Sequence, residues 1–508
     1  MSSAANADYD VVIIGSGVGG GAIALALAPT GAKILILERG ERLPREAENW
    51  SPEAVFVEQR YRTREIWYDS NGQPFRPGQF YFVGGHTKVY GTAMFRFRER
   101  DFEGIEHADG HSVPWPIRYA DLEHWYGEAE QLFGVHGKAG EDPTEPPRSA
   151  PYPYPPIPHE PIIANAYERM RALGLHPFHM PSAVDLHAGG SCLRCGTCDA
   201  FPCRVGAKGD AETRLIDPAL KHANVVLQTG SEVTRLVTDN SGKRVIAAHY
   251  RKQGAMASVS ARLFVLSAGA INSAALLLRS ADSRNPNGVA NSSGVVGRYY
   301  MNHNCTGIMA IKPMQVNQTR FPKTLAVNDF YFASKADNKP LGNLQLLGKI
   351  AEPMLRGAMP RTPKRLRNWL ARHSVDWYVM SEDLAQRDSE VRVRRDGAIE
   401  LRWKRSNLRA HRRFVKVAKK LLHDIGFPIV LSKPFGTDTP SHQCGTVRFG
   451  TDPTASALDP FCRAWDHDNL YVVDASFFPS SAALNPALTI AAQALRVGSH
   501  LKARLGTF

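Results

Sequence analysis

The sequence has no uninterrupted apolar run of about eighteen residues, the length a membrane-spanning helix needs, so no span is expected. Its opening, Met1-Ser-Ser-Ala-Ala-Asn-Ala-Asp8, lacks a basic stretch followed by an apolar core and lacks paired arginines. Export is therefore not expected, and a cytoplasmic location is. No nucleic-acid motif and no aromatic–basic platform accompanies the net charge of +13. That charge reads as a basic solvated surface, and no nucleic-acid partner is expected. Cysteine is scarce, seven in 508 residues, and four of the seven fall in one short run. No internal repeat is visible. A chain of this length exceeds one ordinary core, which points to two domains.

The most informative stretch is the first forty residues. Val11 to Ile14 is a short β-branched run that reads as a buried parallel strand. Gly15, Gly17 and Gly20 follow at G-x-G-x-x-G spacing, ahead of a small-residue helix pattern, Ala22 to Ala28. A second strand, Lys33 to Leu37, ends at Glu38. Gly15 permits a tight turn, Gly17 lets the backbone approach a pyrophosphate, and Gly20 lets helix and strand pack closely. The helix N-terminus offers free N–H groups to the phosphates, and an acid about twenty residues on can bind ribose hydroxyls. Together they predict a dinucleotide site. The motif leaves FAD and NAD open, whereas the acid disfavours a 2′-phosphate.

Further along, Arg39 to Gln79 reads as a long excursion over the cofactor, and Phe82-Val-Gly-Gly-His-Thr-Lys-Val-Tyr-Gly91 suits close approach to a flat ring. Asp121 is a plausible N-cap for a helix from Tyr119. A Pro-rich stretch, Asp142 to Glu160, predicts an extended strap, and Pro161 to Leu173 a helix. Strand patterns at Val225–Val237 and Arg262–Asn272 extend the first sheet, which makes the dinucleotide domain discontinuous. The expected division is 1–130, 185–300 and 432–508 for cofactor binding, 131–184 for strap and helix, and 301–431 for substrate binding. Within that last segment, Asn343–Lys349 and Asp376–Glu382 read as strands, Arg356–Arg372 as a basic helix, and Arg409–Ile425 as an amphipathic one.

Cys192-Leu-Arg-Cys195-Gly-Thr-Cys198-Asp-Ala-Phe-Pro-Cys203 admits three readings: a metal or iron–sulfur site, a redox pair, or a structural loop. Its last gap and the position of Pro202 depart from ferredoxin spacing, so the structural loop is preferred and no metal is expected. Near the C-terminus, Ser441-His-Gln-Cys-Gly-Thr-Val-Arg-Phe-Gly450 carries a histidine in a Gly-flanked turn. Asn485-Pro486 opens a helix, with Asn485 at the N-cap position.

The glycine motif with Glu38, the Gly84-Gly85 loop, His442-x-x-Gly445-Thr446, Asp474-Ala-Ser476 and Asn485-Pro486 occur in the order found in the GMC (glucose–methanol–choline) oxidoreductases, which the chain resembles nearly end to end. The resemblance implies an α/β fold: a Rossmann-like FAD-binding domain plus a substrate domain with a mostly antiparallel sheet covered by helices. It implies FAD held by Gly15, Ser16, Gly17, Gly20, Glu38, Arg39, Gly84, Gly85, Lys88, Tyr90, Gly91, Val233, Ala268, Asp474, Ala475, Asn485, Pro486 and Ala487. It implies His442 as general base and Asn485 as its partner in catalysis. Some relatives attach the flavin to a histidine in the Gly-Gly loop; Val89 stands at that position here, so noncovalent FAD is expected. Glu41–Glu46, Tyr81–Gly85, Gly140–Pro147, Cys198–Cys203, Asn328–Tyr331 and Gly450–Pro453 are similar to a narrower branch, the bacterial pyranose oxidases and C-glycoside 3-oxidases. That branch implies oxidation of a secondary hydroxyl of a glucosyl ring, with O2 or a dye as acceptor, and reoxidation by O2 giving hydrogen peroxide is expected here. A dehydrogenase passing electrons to a quinone or protein is the alternative. Gln345, Lys349 and Trp377 are the expected substrate contacts. The exact sugar, the acceptor and the oligomeric state stay open.

Overall fold

The computed structural model describes residues 7–333, 338–439 and 442–506. Met1–Asn6 and Ser441, which open two of the stretches read above, lie outside the described residues. The first sheet has a parallel half, ordered Val225–Gln228, Ile34–Leu37, Tyr9–Ile14, Ala255–Leu266, with Leu470–Val472 paired to the last of these. Its central segments, Val11–Ile14, Ile34–Leu37 and Leu263–Leu266, are apolar and buried on both faces, as befits parallel strands. An antiparallel meander, Ser231–Thr238, Val245–Lys252 and Ala255–Leu266, extends the same sheet. Helices Val18–Leu27 and Ala487–Leu505 pack against each other, where Gly498 allows close approach to Ala26.

The second sheet is antiparallel, ordered Ile429–Pro434, Asn304–Ile311, Ser374–Ser381, Asn343–Leu346, Leu325–Val327, Pro177–His179. Helix Leu408–Asp424 lays Ala410, Phe414, Ala418 and Leu422 on one face of it, in a core shared with Ile308, Val375, Trp377 and Val379. The α/β architecture therefore has both layers expected of it. The Pro-rich stretch 142–160 runs without helix or strand, and Pro161–Ala172 is helical.

Three local expectations are corrected. The helix from Tyr119 has Arg118 at its N-cap, and Asp121 caps it from inside the first turn by accepting the Arg118 N–H at 2.8 Å. The basic stretch 356–372 is helical only from Lys364, in the helix Lys364–His373, because Pro360 and Pro363 keep the residues before it out of the helix; a separate short helix, Glu352–Leu355, ends just ahead of the stretch. The last helix begins at Ala487 with Pro486 at the cap, one residue later than expected. Asn485 is thereby freed from capping. Among the described residues, no helix is long and apolar enough to cross a membrane.

Candidate active site

The parallel strands deliver the cradle. Tyr9–Ile14 runs into Gly15, Ile34–Leu37 into Glu38, Ala255–Leu266 into Ser267 and Leu470–Val472 toward Asp474. Loops at the carboxyl ends of parallel strands are where open α/β sheets bind ligands. Gly15 has φ +99°, and a Cβ there would meet the Ser267 carbonyl oxygen at 2.3 Å. At Gly17 no atom lies within 4 Å of where a Cβ would sit. That open space fits a pyrophosphate against the backbone, and helix Val18–Leu27 starts there with no side chain capping it. Glu38 Oε2 accepts from the N–H and the Oγ–H of Ser16, at 3.0 and 2.6 Å, and Oε1 from the Gly40 N–H at 2.8 Å, which fixes the carboxylate in the cradle. Burial raises the Glu38 pKa, against the pull of Ser16 and Gly40. Asp474 Oδ2 accepts from the Gly269 N–H at 3.0 Å and from Ser273, and burial raises its pKa too.

One cavity of about 1290 Å³ is lined by this cradle and by His442 and Asn485 together. Typical small-molecule pockets run to roughly 1,000 Å³, so there is room for a dinucleotide and a substrate at once. Of the residues expected at the cofactor, Gly15, Ser16, Gly17, Glu38, Arg39, Gly84, Gly85, Tyr90, Gly91, Val233, Ala268, Asp474, Ala475, Asn485, Pro486 and Ala487 all line it. Gly20 and Lys88 do not. Gly20 serves packing, since a Cβ would strike the Gly15 carbonyl at 2.1 Å. The Lys88 ammonium is turned into an ion pair with Asp210 and Glu212.

At the far wall, Asn485 Nδ2 donates to His442 Nε2 at 3.2 Å. Behind it, His442 Nδ1 lies 2.9 Å from His303 Nδ1, and His303 Nε2 lies 2.9 Å from the Ser481 carbonyl. A carbonyl only accepts, so His303 carries its proton on Nε2 and its Nδ1 is an acceptor. His442 must then carry its proton on Nδ1. The lone pair of Nε2 is left facing Asn485, which is the form a general base needs. Burial, and then the neighbouring His303 ring and the Lys323 ammonium, which disfavour a second positive charge, hold the His442 pKa well below its ordinary 6.5, so the ring is neutral near pH 7. Its backbone sits at φ +28°, a strained setting often found at active sites.

Asn485 is oriented in turn. Its Oδ1 accepts from Gln345 Nε2 at 2.9 Å, which also donates to Asn343 Oδ1 at 2.8 Å; Asn343 donates to Asn328 and Asn328 to Asp142. Gln345 is fully buried and stands behind Asn485, away from the cavity wall. It orients the Asn485 amide and does not face the cavity. Trp377 does not reach the cavity either. It is fully buried against helix Leu408–Asp424, and its strand neighbour Tyr378 faces the cavity. Lys349 lies beyond its strand's end and donates to the Ser374 carbonyl at 2.7 Å. Sequence reasoning missed His303 and Tyr378. Strict alternation along Ser374–Ser381 was the available signal for the latter.

The four clustered cysteines are free, and burial pushes the Cys198 thiol up to about 12, the mark of an unreactive group. Among the described residues, no group of three or more His, Cys, Asp or Glu side chains is arranged to hold a metal ion.

A dinucleotide cradle of this kind, opening onto a neutral histidine paired with an amide, fits an oxidoreductase that pairs a bound dinucleotide with a proton-accepting group. Family models described as GMC oxidoreductase match residues 176–305 and 385–494. Paromamine 6′-oxidase of Streptomyces fradiae is 32% identical, covering 96% of this chain and 90% of its own. 6‴-Hydroxyparomomycin C oxidase of Streptomyces lividus is 33% identical, covering 97% and 92%. The fructose dehydrogenase large subunit of Gluconobacter japonicus is 26% identical, covering 97% of each. The crystal structure of pyridoxine 4-oxidase from Mesorbium loti superposes with a TM-score of 0.69 at 18% identity, covering 97% of this chain and 99% of that one. The chain belongs to the GMC oxidoreductase family, and its cofactor is FAD.

Proposed function

We propose that the protein oxidises a secondary ring hydroxyl of a glucosyl unit, at its 3-position and including C-glycosides, to a ketone, with O2 as the final acceptor and hydrogen peroxide as product. The observation that carries this reading is the His442 Nε2–Asn485 Nδ2 pair, 3.2 Å apart at the wall of the cofactor cavity. The relatives named above for paromamine, hydroxyparomomycin and fructose support a sugar-bearing substrate. Met309, Met354, Leu355, Met359, Tyr378 and Phe435 line the same cavity and suit an apolar aglycone. Six cations, Arg39, Arg62, Arg279, Lys323, Lys419 and Lys433, line it beside five acids, Glu38, Asp199, Glu232, Asp438 and Asp474, so the wall carries no acidic excess to draw a polycationic amino sugar.

FAD, when bound, accepts the hydride that leaves the carbinol carbon. His442 accepts the hydroxyl proton at Nε2. Asn485 Nδ2 lies beside that atom, where it donates to the substrate oxygen and supports its developing negative charge. Val89 lines the cavity with no nucleophilic atom, which supports noncovalent flavin. The relation to fructose dehydrogenase supports a second reading for the acceptor, a quinone or protein in place of O2.

The test is anaerobic mixing of the yellow holoprotein with glucose, and separately with a C-glycosylated flavonoid, followed by air. Bleaching, then recovery with peroxide, is the expected result; bleaching without recovery selects the dehydrogenase. His442→Ala with FAD bound is expected to reduce its flavin about 10²–10⁴-fold more slowly. Bleaching by neither compound overturns the substrate assignment.

A further inference from the structure

The cysteine run has a product that its sulfur chemistry hides. Between Cys198 and Cys203 the chain turns through Ala200 at φ +65° and places Asp199 in the wall of the cavity. Gly91 and Gly348 make the room: a Cβ at Gly348 would meet the Asp199 Cβ at 2.4 Å, and one at Gly91 would meet Asp199 Oδ1 at 2.5 Å and Lys323 Nζ at 2.6 Å. Lys323 Nζ donates to Asp199 Oδ2 at 3.1 Å, and the Gly348 N–H donates to the same oxygen at 3.0 Å. The side chains are 5% and 16% exposed for Lys323 and Asp199, and both line the cavity. Among the described residues no hydrogen bond reaches Asp199 Oδ1, and Lys323 uses one of its three N–H donors on Asp199. Burial opposes the Asp199 charge, and Lys323 and the Gly348 N–H more than offset it, so the carboxyl is held below its ordinary range. The Lys323 charge is also near enough to His442 to disfavour the imidazolium.

A fixed ammonium beside a fixed carboxylate, each with unused hydrogen-bonding capacity, presents a donor and an acceptor side by side with no net charge. Vicinal hydroxyls of a sugar ring have the matching pattern. A phosphate or carboxylate substituent would meet Asp199, and an amino sugar would meet Lys323. Resting on the sugar reading above, we propose that Asp199 and Lys323 form the subsite that clasps two neighbouring hydroxyls of a neutral pyranose and so turns one face of the ring toward His442. Asp199 accepts from one hydroxyl and Lys323 donates to the next.

The experiment uses holoenzyme and anaerobic flavin reduction by glucose and its 2-, 4- and 6-deoxy analogues, with Asp199→Asn and Lys323→Met alongside wild type. FAD content is measured first. Both variants are expected to keep FAD and to show an apparent dissociation constant for glucose about ten- to a hundredfold weaker, the size of a lost hydrogen bond to a charged group. One deoxyglucose should show the same loss on wild type and no further loss on Asp199→Asn. Glucose affinity unchanged in both variants overturns the subsite. Should the variants fail to hold FAD, the deoxy series on wild type decides alone, and equal affinity across it overturns the proposal. A wild-type flavin that no sugar bleaches instead refutes the sugar reading on which the subsite rests.

Discussion

His303 touches neither cofactor nor substrate, yet replacing it should slow the chemical step. In His303→Ala the His442 Nδ1–H loses its acceptor, now 2.9 Å away, inside a buried site. Two outcomes are open to the imidazole. It can keep its proton on Nδ1 unpaired, at a cost of about 1–3 kcal/mol. It can instead move the proton to Nε2, where the atom that should accept the hydroxyl proton has become a donor. The base-competent form is disfavoured either way, and at 1.36 kcal/mol per tenfold the rate falls about 5- to 160-fold. A wrong histidine tautomer has larger consequences still in the serine-protease triad. The assay is stopped-flow flavin reduction under anaerobic conditions, with the rate constant at saturation separated from the half-saturating concentration. The loss should appear in the former. His303→Gln supplies an amide that can accept from His442 and donate to Ser481, and it should recover much of the rate. A His303→Ala enzyme that reduces its flavin at the wild-type rate, while His442→Ala does not, would refute the tautomer argument.

Trp377→Ala should remove about 3–5 kcal/mol of stability and leave glucose affinity unchanged, because the ring fills the core under helix Leu408–Asp424 and not the cavity; denaturant titration and the same reduction assay check both halves. Acid should destabilise the protein through buried histidines. Burial is the main cause that lowers His86, His159 and His411 from 6.5 to about 4. Between those values the unfolded chain binds protons that the folded one does not, so stability is complete above pH 6.5 and falls as pH drops toward 4. Thermal melts across that window, with FAD in excess, should show it. The same sign places the acid limb of the reduction rate below pH 6.5, since His442 is lowered as well.

The cradle was legible because each glycine answers to a backbone constraint: Gly15 to a turn and Gly17 to an open approach. His442 and Asn485 were legible through the family resemblance, since alone each is an ordinary turn histidine and an ordinary cap. Trp377 was misplaced by a single residue of strand phase. On a strand successive side chains face opposite ways, so Tyr378 occupies the cavity wall expected of its neighbour. Gln345 lay on the correct face but one layer too deep, a depth that depends on where Asn485 comes to rest from 140 residues away. Asp199 was overlooked because the sulfur atoms on either side drew the chemistry. Asn302, His303 and Asn304 stand as a polar run ahead of an apolar strand, with no local feature to announce a partner on another element.

The first sheet closes late in synthesis. Its inner strand Ala255–Leu266 gains its last parallel neighbour only from Leu470–Val472, and the catalytic amide and cofactor helix follow at Asn485–Ala487. At translation rates of about 5–20 residues per second, the glycine cradle emerges from the ribosome on the order of half a minute before the segments that complete it. A nascent chain therefore shows an unpaired apolar edge, Phe264 to Leu266, from its own synthesis until Leu470–Val472 is made. A generous supply of flavin, which binds only the completed cradle, and low temperature, which weakens apolar association, should raise the soluble yield of this protein.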